Sequence, residues 1–347
     1  MILKLFSLIL SLFMPFISFK MSFMPSEVDR EFRLASGAFA PDSVCLNGEI
    51  VGCTVEGDAE FENGKINCGG EFIVSFDSAD CYWFNYYGIA YSADEYFKGE
   101  IVYGKNDEII SEEFFLEPAV DGEFFSFIDG FLDEYKANNL YSVSFEPISA
   151  DCGNIEIKGI STFNREIPHR EIYIDNGSVK IGVDLLWGGA LSYFEDLDSA
   201  VEAVKVDGKI KVDSNASERY DTRAVNKNVN LINRNDTGRL VQQSYYGTLE
   251  TPYEPGTYMD NTWNYNPVQG GNQYNDYSKI VDLRLSEEEI YIKCRPLDWA
   301  KEKEFITPSY MEAWYAIENN NVHVRCRFTD FSGYPATPRT QELPAFY

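Results

Sequence analysis

The residues best suited to chemistry lie between Asn230 and Gly271, in the run NLINRNDTGRLVQQSYYGTLETPYEPGTYMDNTWNYNPVQGG. Asn, Gln, Arg, Tyr and Trp are interleaved there, with almost no long apolar runs. A buried core would not carry this mixture, because each unpaired amide or guanidinium taken out of water costs several kcal/mol. A disordered tail would not carry so many aromatic rings. Planar donors and acceptors beside aromatic faces suit a ligand rich in hydroxyls yet weakly apolar, which describes a sugar. Rings stack on the apolar face of a pyranose, while amides and arginine take its hydroxyls in pairs. A tyrosine-rich surface loop has the same composition, and composition alone does not separate the two.

The 347 residues are enough for two domains of ordinary size, and 44% hydrophobic with 15% aromatic residues supports a sizeable core. Net charge is −27, spread along the chain rather than blocked. Such a surface repels phosphate backbones and anionic bilayers, so nucleic acid and membrane surfaces are excluded as general partners. The N-terminal run MILKLFSLILSLFMPFISF places Lys4 before an apolar stretch too short for a transmembrane helix, which reads as a signal peptide over residues 1–20 and predicts a secreted protein. Three sequons, at Asn176, Asn215 and Asn235, are compatible with export. Of seven cysteines, five (Cys45, Cys53, Cys68, Cys81, Cys152) fall in the first half, and Cys294 and Cys326 sit in strand-like runs that a cross-sheet bridge could join. With no C-x-x-C and two histidines, no zinc site is expected. No P-loop, dinucleotide fingerprint or EF-hand loop is present, so no cofactor is expected, although calcium held by loop carboxylates needs no linear signature.

The elements that would position these side chains read as strands. From Phe72 to Phe163, aromatic and β-branched bursts alternate with Gly, Asn and Asp every eight to twelve residues, the pattern of a β-sandwich over 30–166. Gly122 to Tyr135 is the one helix candidate there, weakened by Gly130. Ile167-Pro168-His169 reads as a linker. The second half opens with a hairpin turning at Asn176-Gly177, for which a type I′ turn is expected, and Val179, Ile181, Val183 and Leu185 share one face. The glycines of Trp187-Gly188-Gly189 redirect the strand, Glu195 to Asp198 reads as loop, and Ser199 to Val204 as one helical turn. Later strands are expected at Lys279 to Leu285, Glu289 to Cys294, Met311 to Glu318 and Asn321 to Phe328, the last pair turning at Asn319-Asn320-Asn321.

The ordered trio WGGALSYFED, NLINRNDTGRLVQQSYY and WNYNPVQGG resembles the galactose-mutarotase-like β-supersandwich superfamily, over residues 171–347. YWFNYYGIAYSADEYFKGEIVYG, EEFFLEP and FFSFIDGF similarly resemble a galactose-binding-type jelly roll, a common non-catalytic partner of such domains. The resemblance implies an all-β protein with a concave sheet face that holds a poly- or oligosaccharide. Strand alternation puts Arg239, Val241, Gln243 and Tyr245 on one face, and Arg239, Gln242, Gln243, Trp263, Asn266 and Gln269 are the candidates to hold the sugar, with Arg325 and His323 on a polar face that a solvent-facing sheet would also show. Mutarotases use a Glu base and a His acid, for which Glu342 and His323 are the candidates; glycoside hydrolysis would need two carboxylates, and Glu312 with Glu342 could form that pair. The chain stops at Phe346-Tyr347 inside what reads as another strand, so the second domain is expected to be incomplete at its C-terminus. Three functions remain open on the sequence: a glycan-processing enzyme of glycoside hydrolase or epimerase type, a non-catalytic polysaccharide-binding protein, and a surface structural protein.

Overall fold

The structure, a computed structural model, describes residues 43–47, 53–62, 65–76, 80–105, 107–128, 137–149, 153–164, 170–197, 204–206, 209–211, 230–232, 234–302 and 305–346. The expected signal peptide over 1–20, the linker at 167–169, the sequon at Asn215 and most of the helical turn expected after Ser199 lie outside them. Among the described residues every regular element is a strand, apart from a single 3-10 turn at Leu185–Trp187, so the protein is all-β. No described helix is long and apolar enough to cross a membrane. The chain divides into two compact units, one of Arg33–Ile167 with Lys279–Asp282, the other of Pro168–Ser278 with Leu283–Tyr347 among its described parts.

In the first unit the strands run antiparallel in the order Glu108–Leu116, Phe97–Lys105, Ala137–Pro147, Lys65–Phe76, Ile155–Phe163, Tyr86–Ala93, Ala119–Phe127. Lys65–Phe76 serves two neighbours in turn: Ile66 to Cys68 pair with Ile155 to Ile157, and Phe72 to Ser75 pair with Ser142 to Phe145. Strands at opposite ends of this order nevertheless touch, because the Phe114 and Phe124 rings stack at 5.4 Å. The sheet therefore folds back on itself as a sandwich, closed on an aromatic core. Phe145 packs on Phe114 at 5.8 Å and on Phe72 at 4.9 Å, and Tyr87 meets Phe114 at 6.0 Å. Gly99 makes room for this closure, since a Cβ there would lie 2.1 Å from the Phe114 ring. Of the helix expected over Gly122 to Tyr135, residues 129–135 lie outside the described ones, and the part up to Phe127 is instead the second half of the strand Ala119–Phe127. Its phenylalanines suit a pleated, half-buried surface, and pairing with Tyr86–Ala93 buries Phe124 and Phe127.

The second unit holds a three-stranded sheet (Glu171–Asp175, Val179–Asp184, Ala190–Asp196), a four-stranded sheet ordered Lys279–Leu285 (of which Leu283–Leu285 belongs to this unit), Glu289–Arg295, Ser309–Glu318, Asn321–Asp330, and a second four-stranded sheet ordered Leu297–Asp298, Pro267–Val268, Gln242–Ser244, Glu342–Ala345. Val179, Ile181, Val183 and Leu185 are all buried, as their shared face predicts. The hairpin before them is not type I′: Gly177 has a φ of 87°, whereas Asn176 does not adopt positive φ and spends its side chain accepting from the Ser178 and Val179 N–H groups. Glu195 is strand rather than loop, buried and held by the Tyr193 hydroxyl at 2.5 Å. Gly188 and Gly189, at φ 56° and 65°, redirect the chain, and a Cβ on Gly188 would lie 1.9 Å from the Gln269 carbonyl. Cys294 and Cys326 are free. They stand opposite Met311 and Ala313 on two sides of the same intervening strand, so about two interstrand spacings, or ~9.6 Å, separate them, beyond the ~7 Å that a disulfide spans.

The aromatic closure of the sandwich has a measurable consequence. Phe114→Ala is expected to destabilise the first unit by about 3–5 kcal/mol and to lower its urea midpoint. Val120→Ala, at a side chain that is 90% exposed, should stay within about 0.5 kcal/mol. Equal midpoints for the two variants would show that the layers do not close on this ring.

Candidate functional site

A cavity of about 210 Å³ in the second unit is lined by Asp236, Gly238, Arg239, Gln242, Ser244, Tyr246, Tyr258, Trp263, Asn266, Val268, Trp299 and Glu342. Its first wall is one tight turn. Asp236 Oδ1 accepts from the Gly238 N–H at 2.9 Å, and the Arg239 N–H donates to the Asp236 carbonyl at 3.1 Å, so one bend brings a carboxylate and a guanidinium to the same cavity. Thr237 anchors that bend from below: it is fully buried, its hydroxyl donates to the Asn272 carbonyl at 2.6 Å, and its own carbonyl accepts from Gln242 Nε2 at 2.8 Å. The absence of a side chain at Gly238 lets the Trp299 ring close over the turn, since a Cβ would lie 2.8 Å from it.

Aromatic rings form the second wall. The hairpin Gly256–Tyr258 and Asn261–Trp263 turns at Met259 and Asp260, both at positive φ (46° and 60°), which is the type I′ geometry without its usual glycine. It carries Tyr258 and Trp263 on neighbouring strand ends. Tyr258 meets Trp263 at 5.1 Å and 71°, and Trp299 at 5.6 Å and 70°, while Tyr246 meets Trp263 at 6.4 Å and 67°.

Asn266 joins the walls. Its Oδ1 accepts from Trp263 Nε1 at 3.0 Å, and its Nδ2 donates to Ser244 Oγ at 3.0 Å and to the Tyr245 carbonyl at 2.9 Å. Its carbonyl receives the Trp299 N–H at 2.8 Å, and its own N–H donates to Asp298 Oδ2 at 3.2 Å. Glu342 enters from Glu342–Ala345, whose pairing sets it opposite Ser244. The Gln341 side chain clamps both backbone groups of Tyr246, at 2.7 and 2.9 Å, and the Tyr246 hydroxyl donates to Glu342 Oε2 at 3.2 Å. Burial and then the nearby Glu342 charge raise the Tyr246 hydroxyl above the usual phenol value, so it remains a donor at neutral pH.

Five nominated residues therefore share this cavity: Arg239, Gln242, Trp263, Asn266 and Glu342. Gln242 is engaged inward at both amide atoms, accepting from the Gly270 N–H as well as donating to Thr237. The remaining nominations lie elsewhere. Gln243 and Gln269 are fully buried core amides: Gln243 Nε2 donates to the Glu312 carbonyl at 2.9 Å, and Gln269 Nε2 donates to the Gly188 carbonyl and the Tyr315 hydroxyl. Alternation explains the correction. Strand geometry begins only at Gln242, so Gln242 and Ser244 face the cavity and Gln243 faces away; parity counted from Arg239 crosses a turn and inverts the faces. His323 and Arg325 stand on the exposed side of Asn321–Asp330, the last strand in its sheet order, with His323 Nε2 3.6 Å from Glu318 and Arg325 4.0 Å over the Trp314 ring. Glu312 is buried beneath that face, bonded by the Tyr291 hydroxyl at 2.7 Å and by Arg327. Neither the Glu342 and His323 pair nor the Glu342 and Glu312 pair is assembled in the cavity lining.

Sequence reasoning missed Asp236, Tyr246, Tyr258 and Trp299 as lining residues. The first three lie inside the stretch singled out for its composition; Trp299 carries no such signal, arriving through its N–H bond to Asn266. Among the described residues, no group of three or more His, Cys, Asp or Glu side chains is arranged to hold a metal ion.

No protein-family model matches the chain, and no curated protein matches it. Among solved structures it is similar to a family 29 carbohydrate-binding module, at 11% identity over 35% of this chain and 88% of that one, with a TM-score of 0.26. A point mutant of CBM29-2 complexed with mannohexaose shows 13% identity over 33% and 78% of the two chains, with a TM-score of 0.23. The family 11 carbohydrate-binding module from Clostridium thermocellum, in complex with a β-1,3-1,4-mixed-linked tetrasaccharide, shows 10% identity over 34% and 87%, with a TM-score of 0.22. These neighbours are carbohydrate-binding modules rather than mutarotase-like domains, and each similarity spans about a third of this chain.

Proposed function

We propose that the cavity of the second unit binds a sugar residue of a glycan, and that the protein is exported to meet that glycan outside the cell. The carrying observation is the convergence of four aromatic rings, a guanidinium and two carboxylates on one cavity, whose two lining amides, Gln242 and Asn266, are held in place by the protein itself. Rings offer apolar faces to a pyranose, while Arg239 and the carboxylates offer polar atoms of both kinds. The N-terminal Lys4 and the apolar run after it support export.

The finer reading is hydrolysis, and the lining supports it with a pair different from the one expected. Cleaving a glycosidic bond with water requires one carboxylic acid to protonate the leaving oxygen and one carboxylate to act as base or nucleophile. Asp236 and Glu342 are the two carboxylates among the lining residues. The Tyr246 hydroxyl donates to Glu342 and fixes its orientation, which suits the base or nucleophile, and leaves Asp236 for the role of acid. Galactose-mutarotase-like membership remains part of this proposal for the second unit, without the Glu and His exchange, since His323 does not line the cavity.

Trp263→Ala should weaken retention on a polysaccharide affinity gel by about tenfold, the equivalent of one lost stacking contact, without changing the unfolding midpoint of the first unit. Unchanged retention would remove Trp263 from the site. Glu342→Gln should keep retention but lower release of new reducing ends by about 10²–10⁴-fold. Full release by the variant would discard Glu342 as a catalytic group, and absence of release by the native chain from every polymer it retains would leave a binding protein.

A further inference from the structure

The cavity's size and the angles between its rings say more than its composition. We infer that it takes a single, chain-terminal sugar residue and does not accommodate the interior of a polysaccharide; this rests on the glycan reading above. At about 210 Å³ it is small. An apolar cavity of about 150 Å³ already fits benzene, whereas sites for drug-sized ligands begin at about 300 Å³. The room is that of one ring with its hydroxyls.

Ring geometry is the second, independent observation. Successive residues of a linear glycan held along a surface stack best on aromatic faces that lie nearly parallel along the chain. Here the three neighbouring pairs among Tyr246, Tyr258, Trp263 and Trp299 cross at 67°, 71° and 70°. Rings set at such angles make a corner, which encloses one ring from two sides and blocks the straight continuation of a chain. The corner is fixed by contacts within the protein: Trp263 by its Nε1 bond to Asn266, Trp299 by its N–H bond to the same residue, and Tyr246 by the Gln341 clamp. The 236–239 turn, against which the Trp299 ring rests, supplies a carboxylate and a guanidinium to the same corner, polar groups suited to the additional hydroxyl that a terminal residue leaves free.

The test uses the full chain on affinity gels of starch, cellulose, mannan and laminarin. Bound protein is competed off with the monosaccharide, trisaccharide and hexasaccharide of the retaining polymer. Two further hexasaccharides are used, one borohydride-reduced at its reducing end and one capped by a 4,6-O-benzylidene group at the other. Terminal recognition predicts equal molar potency for the trisaccharide and the hexasaccharide, measurable competition by the monosaccharide, and a loss of at least about tenfold on blocking one of the two ends, the size of one lost polar contact. Which block acts identifies the end. Potency that climbs from trisaccharide to hexasaccharide, or two singly blocked hexasaccharides that are both as potent as the open one, would overturn terminal recognition while leaving glycan binding intact. Retention on none of the gels would overturn both.

Discussion

The arrangement of the site depends on one buried carboxylate. Asp298 is fully buried, and its Oδ atoms accept from the Tyr253 hydroxyl at 3.0 Å, the Asn266 N–H at 3.2 Å and the Ala300 N–H at 3.1 Å. Burial raises its pKa, and the three donors oppose that shift by favouring the charged form. A carboxylate removed from water keeps its charge only if such donors surround it, so the segments carrying Tyr253, Asn266 and Ala300 are held to it together. Asn266 then passes the constraint on to Trp263, Trp299 and the strand Gln242–Ser244. A polar requirement deep in the unit thereby sets the orientation of aromatic rings at its surface.

A second network binds the unit at another level. Gln269 accepts from the Gln243 N–H while donating to Gly188 and Tyr315, and Gln243 reaches the Glu312 carbonyl. These amides connect the 3-10 turn, the strand at Gln242–Ser244 and the strand at Ser309–Glu318. Their hydrogen bonds tie those three elements to one another, although Gln243 Oε1 is left buried without a partner.

That network also marks the limit of what could be read from the chain. Strand positions were legible wherever alternation ran uninterrupted, as along Asn321–Asp330 after the turn at Asn319, which adopts a φ of 55°. The location of the cavity was legible too, since most of its lining falls within the Asn230–Gly271 stretch. What could not be read was which amides face a ligand and which face each other. Gln242, Gln243 and Gln269 are chemically identical, and only their register distinguishes them. Alternation was least dependable across turns, as between Arg239 and Gln242, and for strands whose polar side is simply exposed, as for His323 and Arg325. Asp236 was hidden for a different reason: among 56 acidic residues nothing in the sequence sets it apart, and only the bend formed with Gly238 brings it to the cavity.

The strand Lys65–Phe76 carries an implication for how the first unit is made. It borrows one neighbour from Ala137–Pro147 and another from Ile155–Phe163, and its Phe72 ring meets Phe145. Each of these partners is distant in the chain, so loop-closure entropy is spent before their contacts form, a topology that slows folding. During synthesis from the N-terminus, Lys65–Phe76 emerges well before either partner. Among the described residues, Cys53–Glu62 precedes it as a local mate, and its pairing from Cys53 with Phe76 to Glu62 with Lys65 covers one edge from the start and stays in place. Ala137–Pro147 and Ile155–Phe163 share the opposite edge, which the early hairpin leaves open until they arrive.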